Sequence, residues 1–75
     1  LVSISNTSGL AGIAHWINSY YRLSKDRWVD KNSELVKMIK EWVDKQYEEG
    51  RVTVLTDNEL VVEIAACCKK LGIVL

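Results

Sequence analysis

The chain has 75 residues, enough for one small domain whose single core is only marginally sufficient. Apolar residues make up 48% and charged residues 27%, an ordinary globular balance that excludes the disordered class. Ten basic and ten acidic side chains cancel to a net charge of zero, so no electrostatic footprint for nucleic acid or an anionic membrane is visible.

No apolar run approaches the roughly 20 residues that span a bilayer, and no secretory signal pattern begins the chain. Both cysteines are adjacent, Cys67-Cys68, and neighbours bridge only through a strained ring. They read as buried thiols on a helix face in a reducing, cytoplasmic compartment. Metal binding is not expected: a structural zinc needs four ligands, and the only histidine, His15, lies on another element. The chain starts at Leu1 without Met and closes on Leu71-Gly72-Ile73-Val74-Leu75, neither of which reads as a solvated terminus. A piece of a larger protein is the expectation.

In chain order, a polar stretch, Ser5-Asn6-Thr7-Ser8, leads into a first helix expected over about residues 9–23. Ser8 is its expected N-cap, and Leu10, Ile13, Ala14, Ile17 and Tyr21 recur at helical spacing. Its opposite face gathers Ala11, Gly12, His15, Asn18, Ser19 and Arg22. Gly9 and Gly12 leave the first turns nearly free of side chains, which admits a close neighbour, either a ligand or another helix. Their spacing matches neither a Walker loop nor a dinucleotide fingerprint, so helix packing is the preferred reason for them. His15 stands off the core face, as an exposed surface histidine or as a group that reaches a ligand or neighbouring subunit.

A charged connection follows, Ser24 to Lys31, in which Trp28 and Val29 are expected to tuck against the core. The second helix, about residues 33–49, carries Leu35, Val36, Ile39, Trp42, Val43 and Tyr47 on one arc. Its charged residues form a solvated face with i,i+4 pairs such as Glu41-Lys45, and Gly50 stops it. Arg51-Val52-Thr53-Val54-Leu55 alternates like a strand but lacks a visible partner and is read as an extended connector. Thr56-Asp57-Asn58-Glu59 is a capping box that opens a third helix over about residues 57–71. The fold class is thus all-α, a small three-helix domain with Ile13, Ile17, Ile39, Trp42, Val43, Leu60 and Ile64 at its centre. Such a core leaves little interior for a substrate pocket.

The stretch Ser8-Gly9-Leu10-Ala11-Gly12-Ile13-Ala14-His15-Trp16-Ile17 resembles the segment that follows the catalytic barrel in 2-isopropylmalate synthases, of the form Ser-Gly-Lys-Gly-Gly-Val-Ala-Tyr. The similarity continues more loosely through the second helix, ending at Tyr47-Glu48-Glu49-Gly50-Arg51, and the helix after Thr56. The wider family includes homocitrate, citramalate and Re-type citrate synthases.

The resemblance implies a fragment of a larger TIM-barrel enzyme, an acyltransferase of amino-acid biosynthesis such as that of leucine, which condenses acetyl-CoA with a 2-oxo acid using a divalent metal ion. It implies a helical lid or interface subdomain whose partners are the catalytic barrel of the same parent chain and its dimer mate. His15 stands where the family has a tyrosine that approaches the partner's active site; imidazole still donates a hydrogen bond but has a shorter reach. On this reading His15 is a catalytic-site residue, Gly9 and Gly12 border substrate, and the chain alone does not turn over and holds no cofactor. The other reading is a free-standing helical interaction domain that binds another helix through the Gly9 and Gly12 face. A helix-turn-helix nucleic-acid module is disfavoured by the neutral charge.

Overall fold

A computed structural model describes residues 3–75, so Leu1, one of the apolar ends noted above, lies outside the described residues. Three α-helices make up the regular structure: α1 (Leu10–Tyr20), α2 (Glu34–Glu48) and α3 (Asp57–Leu71), with one short 3-10 turn at Lys25–Arg27. The molecule is all-α. α2 is the central element and packs against both α1 and α3.

α2 is central because its apolar residues recur along one face and four of them are buried. Leu35, Val36, Ile39 and Val43 are all at 1% exposure or less. They meet Ile13, Ala14, Trp16 and Ile17 from α1 and Leu60, Ile64, Cys67 and Cys68 from α3 in one core. Trp42, expected at the centre, is only partly buried and packs at the margin of that core. Trp16 is instead the buried indole, stacked on Tyr20 one helical turn later with ring centroids 4.7 Å apart.

The start of α1 departs from expectation. Gly9, not Ser8, is the N-cap, and no side chain caps the helix. The Ser8 hydroxyl is already engaged: it accepts from the Ser5 N–H at 3.1 Å, while the Ser8 N–H donates to the Ser5 carbonyl at 3.1 Å. A closed turn over residues 5–8 therefore consumes the oxygen that would otherwise have served the helix.

α1 also ends at Tyr20, three residues before the expected Leu23. Arg22 takes a left-handed conformation with φ 52°, and the Leu23 N–H donates to the Asn18 carbonyl at 3.0 Å while Arg22 N–H donates to Ser19 at 3.2 Å. This is a Schellman ending in which arginine stands where glycine is usual. α2 and α3 end in the same way with glycine, at Gly50 (φ 108°) and Gly72 (φ 69°).

Both connections are pinned to the helices. The Asn18 amide accepts from the Val29 N–H at 2.8 Å and donates to the Val29 carbonyl at 3.1 Å, so it binds the α1–α2 connection as another backbone would. Val29 is partly buried there, but Trp28 is 54% exposed, contrary to expectation. Its indole N–H donates to the Leu23 carbonyl at 2.8 Å, which ties the ring to the loop edge instead of the core.

The α2–α3 connection is an extended connector that does find a partner. Leu55 N–H donates to the Ile4 carbonyl at 3.0 Å in a single antiparallel bridge, and both side chains are buried. Arg51 braces this connector. Its guanidinium donates to the Thr53 and Val54 carbonyls and forms a two-pronged ion pair with Glu59 at 2.6 and 2.7 Å. On α2 the ion pair formed is Lys40–Asp44 at 2.7 Å; Glu41–Lys45 is not among the salt bridges of the described residues.

Candidate functional site

The outer face of α1 carries Gly9, Gly12 and His15. Gly12, His15 and Ser19 follow one another at spacings of three and four residues, so they align on one side of the helix. Ile13, Ala14 and Ile17 lie on the other side, while the buried Trp16 follows Gly12 by four residues and flanks this face. His15 is exposed, and its one polar neighbour is the Ser19 hydroxyl, 3.5 Å from Nε2, at the outer limit of a hydrogen bond.

Neither glycine is demanded by this chain's own packing. A Cβ added at Gly9 or Gly12 meets nothing within 4 Å, and neither residue has a positive φ. The close helix packing expected to explain them does not occur within the described residues. Asn18, grouped with this face by helical spacing, is committed to Val29 and is not available to a ligand. The sequence offered no signal for that clamp, because its partner is the backbone of a loop.

Gly9, Gly12 and His15 are all exposed on this face. Three shallow grooves, of about 350 to 380 Å³, lie elsewhere: beside Tyr21 and Cys68, beside Trp42 and Val62, and between Met38 and Cys67. None is lined by Gly9, Gly12 or His15. Among the described residues no three His, Cys, Asp or Glu side chains converge to hold a metal ion. The divalent ion implied by the resemblance therefore has no donor set among these residues.

The strongest electrostatic arrangement is remote from His15. Glu59 receives hydrogen bonds from Arg51, from the Thr56 N–H at 3.0 Å and from the Thr56 hydroxyl at 3.1 Å, and these hold its carboxyl down at about 2. The same pair raises the Arg51 guanidinium. Every partner in this network is local to the start of α3, so it is a structural staple. Burial pushes the Cys67 and Cys68 thiols up, which makes them poor nucleophiles in the closed fold. No described helix is long and apolar enough to cross a membrane.

No protein-family model and no solved structure matches the chain. Over 60 residues it is 50% identical to a protein named citrate (Re)-synthase from Clostridium kluyveri, a match that takes in 80% of this chain and 13% of that protein. Over 61 residues it is 44% identical to a citrate (Re)-synthase of Syntrophus aciditrophicus, covering 81% of this chain and 10% of the relative. The chain thus spans about an eighth of the length of one relative and a tenth of the other. Its similarity is to one short part of citrate (Re)-synthases, and these relatives do not single out 2-isopropylmalate synthase.

Proposed function

We propose that this chain is a helical subdomain of an acetyl-CoA-dependent condensing enzyme of the citrate (Re)-synthase kind. The observation that carries the reading is the identity of 50% over 60 residues, confined to 13% of a much longer synthase. A product with six carbons, citrate, requires a two-carbon acetyl donor and a four-carbon 2-oxo diacid. The acyl acceptor under this reading is therefore the diacid and not the branched 2-oxo acid of leucine biosynthesis.

The subdomain acts as a lid or interface element. A face with two glycines, open space where a Cβ would stand at each, and an exposed imidazole is suited to lie against a second body. That body is the catalytic barrel of the parent chain or of its dimer mate in the cytoplasm, with the divalent ion held by the barrel. His15 then offers a hydrogen bond at the active-site edge, and Gly9 and Gly12 let the two surfaces approach.

The test is His15→Ala in the full-length enzyme. Loss of one hydrogen bond that forms only in the assembled site lowers kcat/KM by on the order of tenfold. The fold of the subdomain itself is unaffected, because His15 is exposed and lies outside its core. Unchanged kinetics would remove His15 from the site and leave the subdomain with an interface role alone.

A further inference from the structure

The seam between α2 and α3 carries two shallow grooves, and no residue of α1 lines either of them. Trp42 and Glu63 border both, so the two join into one furrow along the helices. Its apolar side chains are Met38 and Trp42 from α2 and Val62 and Cys67 from α3. Val62 is 71% exposed and Trp42 is only partly buried, so the chain's own core does not consume this surface. An indole beside an aliphatic side chain is the kind of group on which protein interfaces are centred.

Four charged residues rim the furrow, Glu41 and Lys45 on α2 and Glu63 and Lys70 on α3. None of them joins an ion pair among the described residues, in contrast to Lys40 with Asp44 and Arg51 with Glu59. Glu63 accepts only a weak bond from the Cys67 thiol, 3.6 Å away. Two acids and two bases leave the rim neutral, and their order is the same on both helices: the acid comes first and the base follows one or two turns later. A partner of a single charge sign meets repulsion from half of such a rim. A second copy meets none. A two-fold axis that crosses the seam near Trp42 lays each helix antiparallel on its own copy, which sets Glu41 against Lys45 of the second copy and Glu63 against Lys70 of the second copy, each pair formed twice.

We propose that the α2–α3 seam docks the same seam of a second copy of this chain, across Trp42, with the four rim charges setting the orientation. Within a longer enzyme the second copy is the same part of another subunit. The proposal is independent of the lid reading, which concerns the outer face of α1, so either can fail without the other. Trp42 and Val62 supply the buried apolar area; exposed rim pairs add little affinity and select the arrangement.

The experiment is sedimentation equilibrium of the 75-residue chain and two rim variants. One variant carries Lys45→Glu with Lys70→Glu and has an acidic rim; the other carries Glu41→Lys with Glu63→Lys and has a basic rim. All four side chains lie outside the core, so both variants keep the fold, which a cooperative melt in circular dichroism checks. The wild-type chain approaches twice its monomer mass as its concentration rises. Each variant alone has a Kd higher by about tenfold or more, because like charges now face each other. An equimolar mixture of the two variants recovers the wild-type Kd, since an acidic rim then faces a basic one. A wild-type chain that stays monomeric up to about 1 mM overturns the proposal. So do variants that associate as tightly as the wild type, which places any self-contact on another face, and a mixture that stays dissociated, which shows that rim does not meet rim.

Discussion

Arg22 holds a left-handed backbone conformation, φ 52°, that costs a residue with a Cβ about 1–2 kcal/mol. No hydrogen bond from its guanidinium offsets this among the described residues, and the side chain is exposed. The position persists because Leu23 and Arg22 N–H groups satisfy the last carbonyls of α1, which would otherwise be orphaned. Glycine makes the same turn without strain but loses more freedom on folding, which offsets part of the gain. Arg22→Gly is therefore expected to stabilise the chain by about 0.5–1 kcal/mol, read from urea unfolding. A loss of stability would mean that the guanidinium makes a contact worth more than the strain. The same residue explains why the end of α1 was illegible in the sequence: with no glycine to mark the stop, helical spacing ran on to Leu23. Asn18 was illegible for a related reason, since a side chain that binds loop backbone leaves no periodic trace.

At the scale of the element, α3 shows how local chemistry makes a boundary readable. Thr56 and Glu59 form both halves of the capping box, and Arg51 adds a second claim on the same carboxylate. Folding lowers the Glu59 carboxyl from its ordinary 4.5 to about 2, so between these values the unfolded chain binds more protons than the folded one. The resulting stabilisation is complete above the ordinary value and is lost as pH falls through 4.5 toward 2. Glu59→Gln lacks this titration. Its melting temperature is expected to lie below that of the wild type at neutral pH, with the gap closing as pH falls toward 2. A gap independent of pH would mean that the Arg51 pair contributes packing and not charge. α2 was equally legible, from its apolar arc and from Gly50, and the structure adds the Ser33 side chain that caps it by accepting the Val36 N–H. The connector was half legible: alternation from Arg51 to Leu55 indicated extended chain, but Val52 and Val54 face outward and its partner is Ile4, 51 positions away in numbering. Long-range pairing of that kind has no signature in either segment alone.

For the whole molecule, the three-helix core was recoverable from apolar periodicity, whereas the candidate site was legible only as an anomaly. Composition and spacing marked the Gly9, Gly12 and His15 face as different from the core face, and the structure leaves it facing open space. Under the proposed lid reading its occupant lies outside these residues, so this chain's sequence carries the shape of the proposed contact but not the body that makes it. Gly12 separates the possibilities. In the chain alone an alanine there clashes with nothing and is a better helix former, so Gly12→Ala is expected to stabilise the isolated domain by about 0.5–1 kcal/mol in thermal unfolding. Under the proposed reading, the added methyl in the full-length enzyme enters the space that the second body fills, and kcat/KM falls even as the subdomain itself becomes more stable. Opposite signs in the two settings are the mark of a glycine kept for an external surface. If Gly12→Ala raises stability in both and leaves turnover unchanged, the face is solvent in the assembled enzyme, and the lid reading of α1 fails while the similarity to citrate (Re)-synthase stands.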